Sequence, residues 1–354
     1  MHFGSKDDQK NSPNLYFMSF CLHSHISFTH SIEEGSFDHP LYPIVSPREE
    51  GFLKVSELHT LFYAVYGNPD GVPVVVLHGG PGAGCSDVIS QFFDLSRWNV
   101  VMFDQRGAMR SEPFCCMEEN NAQYSINDIE RLRNHLGIQK WIVFGGSWGS
   151  ALASLYGQEH PENCLGFILR GITLLREQDY LHLLYGMGKI FPEAYDPFVQ
   201  YIPEEERHDL LSAYYRRVCD PNPDVQLPAA RLFMRFDTIC STQLPNPIAL
   251  EKTMQNDKLV LSVSKAFLHY SMNGFFIKPD QILSQIARIA HLPAIIVQGR
   301  WDAICLPEQA YFLHKNWKNS KLWMLSQGGH SANDPAIGAA LATATDLFAQ
   351  EISQ

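Results

Sequence analysis

The stretch Trp141-Ile142-Val143-Phe144, followed at once by Gly145-Gly146-Ser147-Trp148-Gly149, decides how this chain is read. A short run of apolar and β-branched residues predicts a strand buried on both faces. The glycines predict a sharp turn into a helix that begins near Gly149. This is G-x-S-x-G in the context its chemistry needs. The turn strains the serine backbone, and small flanking residues let strand and helix approach closely enough to expose the Oγ. A serine hydroxyl is a poor nucleophile at neutral pH, so it needs a base, and the base needs a carboxylate to orient it.

Sheets that carry such a turn place the acid and then the histidine later in the chain, each in a loop after a strand. Both loops can be found. Ala294-Ile295-Ile296-Val297 runs into Gln298-Gly299-Arg300-Trp301-Asp302, and Leu322-Trp323-Met324-Leu325 into Ser326-Gln327-Gly328-Gly329-His330. Asp302 is the expected orienter and His330 the expected base, with Glu308 as the rival carboxylate. Acyl transfer also needs backbone N–H donors for the developing oxyanion. One is expected from Trp148, the residue after the nucleophile. The other is expected from the glycine loop His78-Gly79-Gly80-Pro81-Gly82-Ala83-Gly84, with Gly80 as the candidate. A phosphate-binding loop fits this segment poorly, because G-x-x-x-x-G-K-[ST] is absent and Pro81 lacks an N–H. His78 is expected to brace the loop.

Around these motifs the texture is that of an alternating α/β chain. Strands are expected at residues 73–77, 98–103, 141–144, 165–169, 294–297 and 322–325. Ile126, Ile129, Leu132 and Leu136 share one face of a helix that Ser125 is expected to cap and Gly137 to end. A last helix is expected to start at Asp334-Pro335. Strands alternating with helices imply a mostly parallel sheet covered on both faces. Residues 173–285 read as helical without a buried strand, which implies a cap inserted over the carboxyl edge of the sheet. The expected division is therefore an N-terminal extension (1–36), a core in two parts (37–172 and 286–354) and the helical cap (173–285).

Composition bounds the rest. The 354 residues are 45% hydrophobic and 18% charged, which excludes disorder and coiled coil. The formal net charge of −11 and the lack of a basic patch argue against nucleic acid as a partner. The eight cysteines form no CxxC pair, so no metal site or other cofactor is expected. No apolar run reaches membrane-spanning length, and the run from Leu15 to Phe28 is broken by Ser19, His23, Ser24 and His25. A cytoplasmic protein without a membrane partner is expected, its oligomeric state left open.

The combination of the His78–Gly84 loop, Asp104-Gln105-Arg106-Gly107 and Gly145-Gly146-Ser147-Trp148-Gly149-Ser150 resembles the proline iminopeptidases (prolyl aminopeptidases). Leu41-Tyr42-Pro43, Gly67-Asn68-Pro69, Gly299 to Asp302 and Gly329-His330-Ser331-Ala332 extend the resemblance over about residues 41–354. It implies an α/β-hydrolase fold and a serine peptidase that releases an N-terminal residue, typically proline, from short peptides without metal. Ser147, Asp302 and His330 fall where that family's triad lies.

The chain departs from the family's pattern in two places. Met109 stands where a glycine is usual, a local packing change. In the cap, two glutamates usually hold the substrate's amine. The first matches Asp237, one methylene shorter, and the second falls at Ala266 or Phe267, neither acidic. Losing one charge-assisted bond to an ammonium costs about 1.5–3 kcal/mol. Asp237 is thus the expected amine contact. The run Glu204-Glu205-Glu206 reads as a solvated helix start. Aromatics such as Tyr185, Tyr214, Tyr215, Phe233, Phe236 and Tyr270 are expected to divide between cap core and pocket wall. An esterase or amidase on the same triad, and a non-catalytic binding protein, are the alternatives in view.

Overall fold

In the computed structural model, which describes residues 26–352, one nine-stranded sheet organises the chain. The strands are β1 (Ser31–Gly35), β2 (Glu49–Lys54), β3 (Thr60–Gly67), β4 (Val72–Leu77), β5 (Trp98–Phe103), β6 (Trp141–Ser147), β7 (Cys164–Ile172), β8 (Ala294–Gly299) and β9 (Ser320–Leu325). Their spatial order is β1-β9-β8-β7-β6-β4-β5-β3-β2. Only β3 runs against its neighbours β2 and β5; every other pairing between adjacent strands is parallel. All six expected strands are present: 98–103 keeps its expected bounds, and the other five are longer by one to three residues at one or both ends.

The central strands are buried on both faces because helices cover both. One face packs Trp141, Val143, Phe167 and Ile296 against the helices Ala122–His135, Trp148–Glu159 and Pro307–Asn316. The other packs Val74, Val76, Ile142 and Ile295 against the helix Pro335–Ile352 through Leu341, Ala344 and Phe348. The helix Ala122–His135 corrects one expectation. Asn121 caps it, its side chain accepting from Tyr124 N at 3.0 Å, whereas Ser125 lies inside and turns its hydroxyl back to Asn121 O. An Asn with extended backbone just before the helix satisfies an orphan N–H that an interior serine cannot reach.

The extension is corrected too. Residues 31–35 are not outside the core but form β1, the edge strand, pairing in parallel with β9 from Ser31↔Lys321 to Gly35↔Leu325. Phe28 is buried and sets its ring edge-on to Phe348 at 5.3 Å. Of the proposed extension, residues 1–25 lie outside the described residues, as do Cys21 and most of the broken apolar run 15–28. The other seven cysteines are free thiols.

Between β7 and β8 the chain makes only helices, chiefly Pro192–Gln200, Leu210–Val218, Pro223–Ser241, Pro247–Met254 and Asp257–Met272. They pack a third apolar cluster of their own around Phe198, Tyr214, Phe233 and Phe236. Phe198 stacks on Tyr214 at 4.4 Å and on Phe236 at 4.6 Å. Glu206 is held at the surface by Arg216 and Arg217 at 2.8 and 2.7 Å. Among the described residues no helix is long and apolar enough to cross a membrane.

Candidate active site

β6 ends on Ser147, whose backbone sits at φ 58, ψ −128, a strained conformation for a residue with a side chain. The flanking glycines explain how so tight a turn forms. A Cβ on Gly145 would lie 2.2 Å from Gly149 O, and one on Gly149 would lie 2.0 Å from Leu77 O. Any larger residue would push the helix Trp148–Glu159 off β6 and β4. The strain therefore holds Ser147 at the tip of the strand, at the start of the helix and facing a cavity of about 310 Å³.

The same cavity is lined by His330, Trp148, Gly79, Gly80 and Asp237. Asp302 lies behind His330, 2% exposed. Its Oδ2 is 2.9 Å from His330 Nδ1 and accepts from Gln298 Nε2 at 3.1 Å. Its Oδ1 accepts the Ile304 and Cys305 N–H groups at 3.1 and 2.8 Å. A carboxylate with four donors around it is fixed in place. Glu308, the rival carboxylate, is half exposed and pairs with Arg176 at 3.1 Å.

Several neighbours of this group were invisible in the sequence. Gly171, at φ +56, brings its Cα so close that a Cβ would meet the His330 ring at 3.1 Å and Asp302 Oδ2 at 3.4 Å. Arg170 donates to His330 O at 2.7 Å and lines the cavity. Gln105 ties the glycine loop to the Ser147 turn. Its side chain donates to His78 O at 3.0 Å and accepts from Trp148 Nε1 at 2.8 Å, while its backbone N–H donates to His78 Nε2 at 3.0 Å. His78 thus accepts through Nε2, and burial pushes its pKa down, as suits a neutral brace. Trp148 is further held edge-on by Tyr270, ring centres 4.8 Å apart. Across the cavity, Ser262 Oγ on the helix Asp257–Met272 donates to Gly82 O at 2.6 Å. The signal available for Gln105 was its place in Asp104-Gln105-Arg106-Gly107; nothing local pointed to Gly171 or Arg170.

The cavity wall explains the altered cap positions. Asp237 lines it, and burial pushes its carboxyl up to about 6, with His330 pulling the other way. Phe267 lines it as well, and Ala266 packs at Gly82, so the place of the second glutamate is an apolar wall. Leu175, Leu183, Phe233, Val263 and Phe275 complete that wall. A second carboxylate, Asp179, does reach the cavity, but Arg176 holds it with Nε–Oδ2 at 2.9 Å and Nη2–Oδ1 at 2.8 Å. Of the other cap aromatics, Tyr214 and Phe236 belong to the cap cluster and Tyr185 is 40% exposed. Among the described residues no group of three or more His, Cys, Asp or Glu is placed to hold a metal ion.

Comparison with known proteins agrees with this architecture. The family model described as the alpha/beta hydrolase fold matches residues 72–336. A probable proline iminopeptidase of Leptolyngbya boryana is 44% identical over 310 residues, 87% of this chain and 96% of that protein. The proline iminopeptidase of Arabidopsis thaliana is 42% identical, over 86% of this chain and 81% of that protein. Among solved structures, a putative aryl esterase from Burkholderia cenocepacia superposes with a TM-score of 0.61 at 14% identity, covering 86% of this chain and all of that one. That likeness shows the fold alone, whereas the two iminopeptidases match in sequence along most of their length. On that ground the chain belongs to the proline iminopeptidase family of the α/β hydrolase fold.

Proposed function

We propose that this chain is a serine aminopeptidase that releases an N-terminal residue, proline above all, through an acyl-enzyme. The helical block 173–285 acts as a cap over a core formed by 37–172 and 286–354, with β1 added to its edge. Ser147 attacks the first carbonyl, His330 takes the Ser147 proton through Nε2, and Asp302 holds the imidazole by Nδ1. The N–H groups of Gly80 and Trp148 receive the oxyanion. His330 then protonates the leaving nitrogen, and water releases the acyl group. The observation that carries the reading is the pairing, in one cavity, of Ser147 at a strained turn with His330 held by a buried Asp302.

Asp237 binds the substrate's ammonium in this scheme. A prolyl-arylamide and its N-acetylated form measure that contact directly. Acetylation removes the charge, and the expected loss in kcat/KM is roughly 10- to 100-fold, the equivalent of about 1.5–3 kcal/mol. Asp237→Asn should remove most of the difference. Equal hydrolysis of both substrates by the unaltered protein would instead favour the esterase or amidase reading, which the apolar wall at Phe267 makes the natural competitor.

The raised Asp237 carboxyl also sets a pH dependence. Burial disfavours the charged form, so the group is protonated below about pH 6 and ionised above it. Ammonium binding needs the ionised form. KM for the free-amine substrate should therefore fall as pH rises through about 6 and then level off. In Asp237→Asn that inflection in KM should vanish; its persistence would assign it to another group.

A further inference from the structure

Arg170 takes no part in the steps proposed above, yet it is the one arginine or lysine among the described residues that line the catalytic cavity. Other arginines around the site are matched. Arg106 pairs with Asp128 at 2.6 Å, Arg110 with Asp104 at 2.8 Å and Arg176 with Asp179 at 2.8 Å. Arg170 makes no such pair among the described residues. Its Nη1 donates to His330 O at 2.7 Å and lies 3.5 Å from His330 Nε2, while Nε and Nη2 find no acceptor there. The carboxylates that act on it through space, Asp302 and Asp334, are committed elsewhere: Asp302 to His330, and Asp334 Oδ2 to Gly329 N at 2.7 Å. A half-buried cation that faces a cavity without a counter-ion calls for an anion that arrives with the ligand.

The place of the guanidinium says which anion. A Cβ on Gly146 would collide with Arg170 Nη2, so the group lies against the residue before Ser147. His330 Nε2, 3.5 Å from Nη1, is the atom that hands its proton to the leaving nitrogen. That nitrogen comes within about 3 Å of Nε2 to receive it. The carboxyl carbon of the residue it belongs to is two bonds further on, and the carboxylate oxygens reach roughly 3 Å beyond the nitrogen. A free carboxylate on the first leaving residue therefore falls within reach of Arg170. In a longer peptide the same place holds a neutral carbonyl, which accepts a weaker hydrogen bond and brings no charge. The anion has a second effect. His330 becomes positive when it takes the Ser147 proton, close to a guanidinium, and a carboxylate beside both offsets that repulsion.

We propose, resting on the aminopeptidase reading, that Arg170 binds the free α-carboxylate of the residue after the scissile bond and that the preferred substrate is a dipeptide. Such a substrate has two charged ends, and the cavity meets each with one opposite charge: Asp237 for the ammonium and Arg170 for the carboxylate. A cavity of about 310 Å³ is at the small end for ligand sites, as suits a substrate of two residues.

The test compares Pro-Leu, its C-terminal amide, Pro-Leu-Ala and a prolyl-arylamide. The unaltered protein should cleave Pro-Leu with a kcat/KM roughly tenfold or more above that of the amide and of Pro-Leu-Ala. In Arg170→Gln the advantage of Pro-Leu over its amide should shrink to within about threefold, and in Arg170→Lys, which keeps the charge without the fork, part of it should return. Each ratio is taken within one protein, so a general loss of activity from a loosened His330 loop cancels. Should Arg170→Gln fail to fold, the ratio in the unaltered protein and its change in Arg170→Lys decide. Equal cleavage of Pro-Leu and its amide by the unaltered protein, or an unchanged ratio in folded Arg170→Gln, overturns the carboxylate contact. Hydrolysis of esters without cleavage of the arylamide or of any peptide overturns the aminopeptidase reading instead.

Discussion

Ser147→Ala should lower kcat for a prolyl-arylamide by a factor on the order of 10⁴ to 10⁶. The substitution removes only the Oγ. Alanine must still adopt φ 58, but serine already bears that strain, and the glycines at 145 and 149 that impose it are unchanged. The bond that Ser150 makes to this residue goes to its carbonyl, at 2.7 Å, and survives. Folding should therefore be preserved, with a change of about 1 kcal/mol or less and a Tm shift within about 4 °C. Residual activity would come from the Gly80 and Trp148 donors and from binding alone. A fluorophosphonate probe should label the unaltered protein and not the variant. Near-normal turnover with intact labelling elsewhere would remove Ser147 from the mechanism, and no labelling of the unaltered protein would revive a non-catalytic role.

The strands and the turns after them were readable because burial on both faces writes a continuous apolar run, and each such run here stops at glycine or a polar residue. Ser147, Asp302 and His330 inherit that legibility, since each sits at a fixed place after its strand. β1 carried no such signal: Ser31-Ile32-Glu33-Glu34-Gly35 is half exposed, with Ile32 46% exposed, and its register rests on backbone pairing with β9. Gly171 and Arg170 were missed for a different reason. Their roles depend on what the fold brings beside them, such as the His330 ring against Gly171, and no local pattern encodes that. Asp237 was found through resemblance alone. Its neighbour in the cavity, Asp179, was not, because a carboxylate two residues into a helix reads like any other helix start.

Asp302→Asn should cost about 10⁴ in kcat with little change in KM, because the loss is one of proton bookkeeping rather than of binding. The carboxylate accepts from four groups: His330 Nδ1, Gln298 Nε2 and the N–H groups of Ile304 and Cys305. An amide has one oxygen to offer them. If that oxygen stays with Ile304 and Cys305, the amide NH₂ faces His330 Nδ1 and also Gln298 Nε2, which keeps its other bond to Cys305 O at 2.9 Å. The imidazole must then carry its proton on Nε2, where it cannot accept one from Ser147. If the amide turns the other way, two buried backbone N–H groups face its NH₂ and lose their partner, at roughly 1–3 kcal/mol each. The first orientation fails chiefly in catalysis and the second chiefly in stability. Paired measurements of kcat and of urea unfolding separate them: a large kcat loss with the midpoint lowered by the one Gln298 bond identifies the first, and a midpoint lowered by about twice as much the second. Glu308→Gln is the matched control. That carboxylate is half exposed and bound to Arg176, so its loss should leave kcat near that of the unaltered protein. Should Asp302→Asn keep kcat within tenfold while Glu308→Gln does not, the orienting role would pass from the loop after β8 to the helix that follows it.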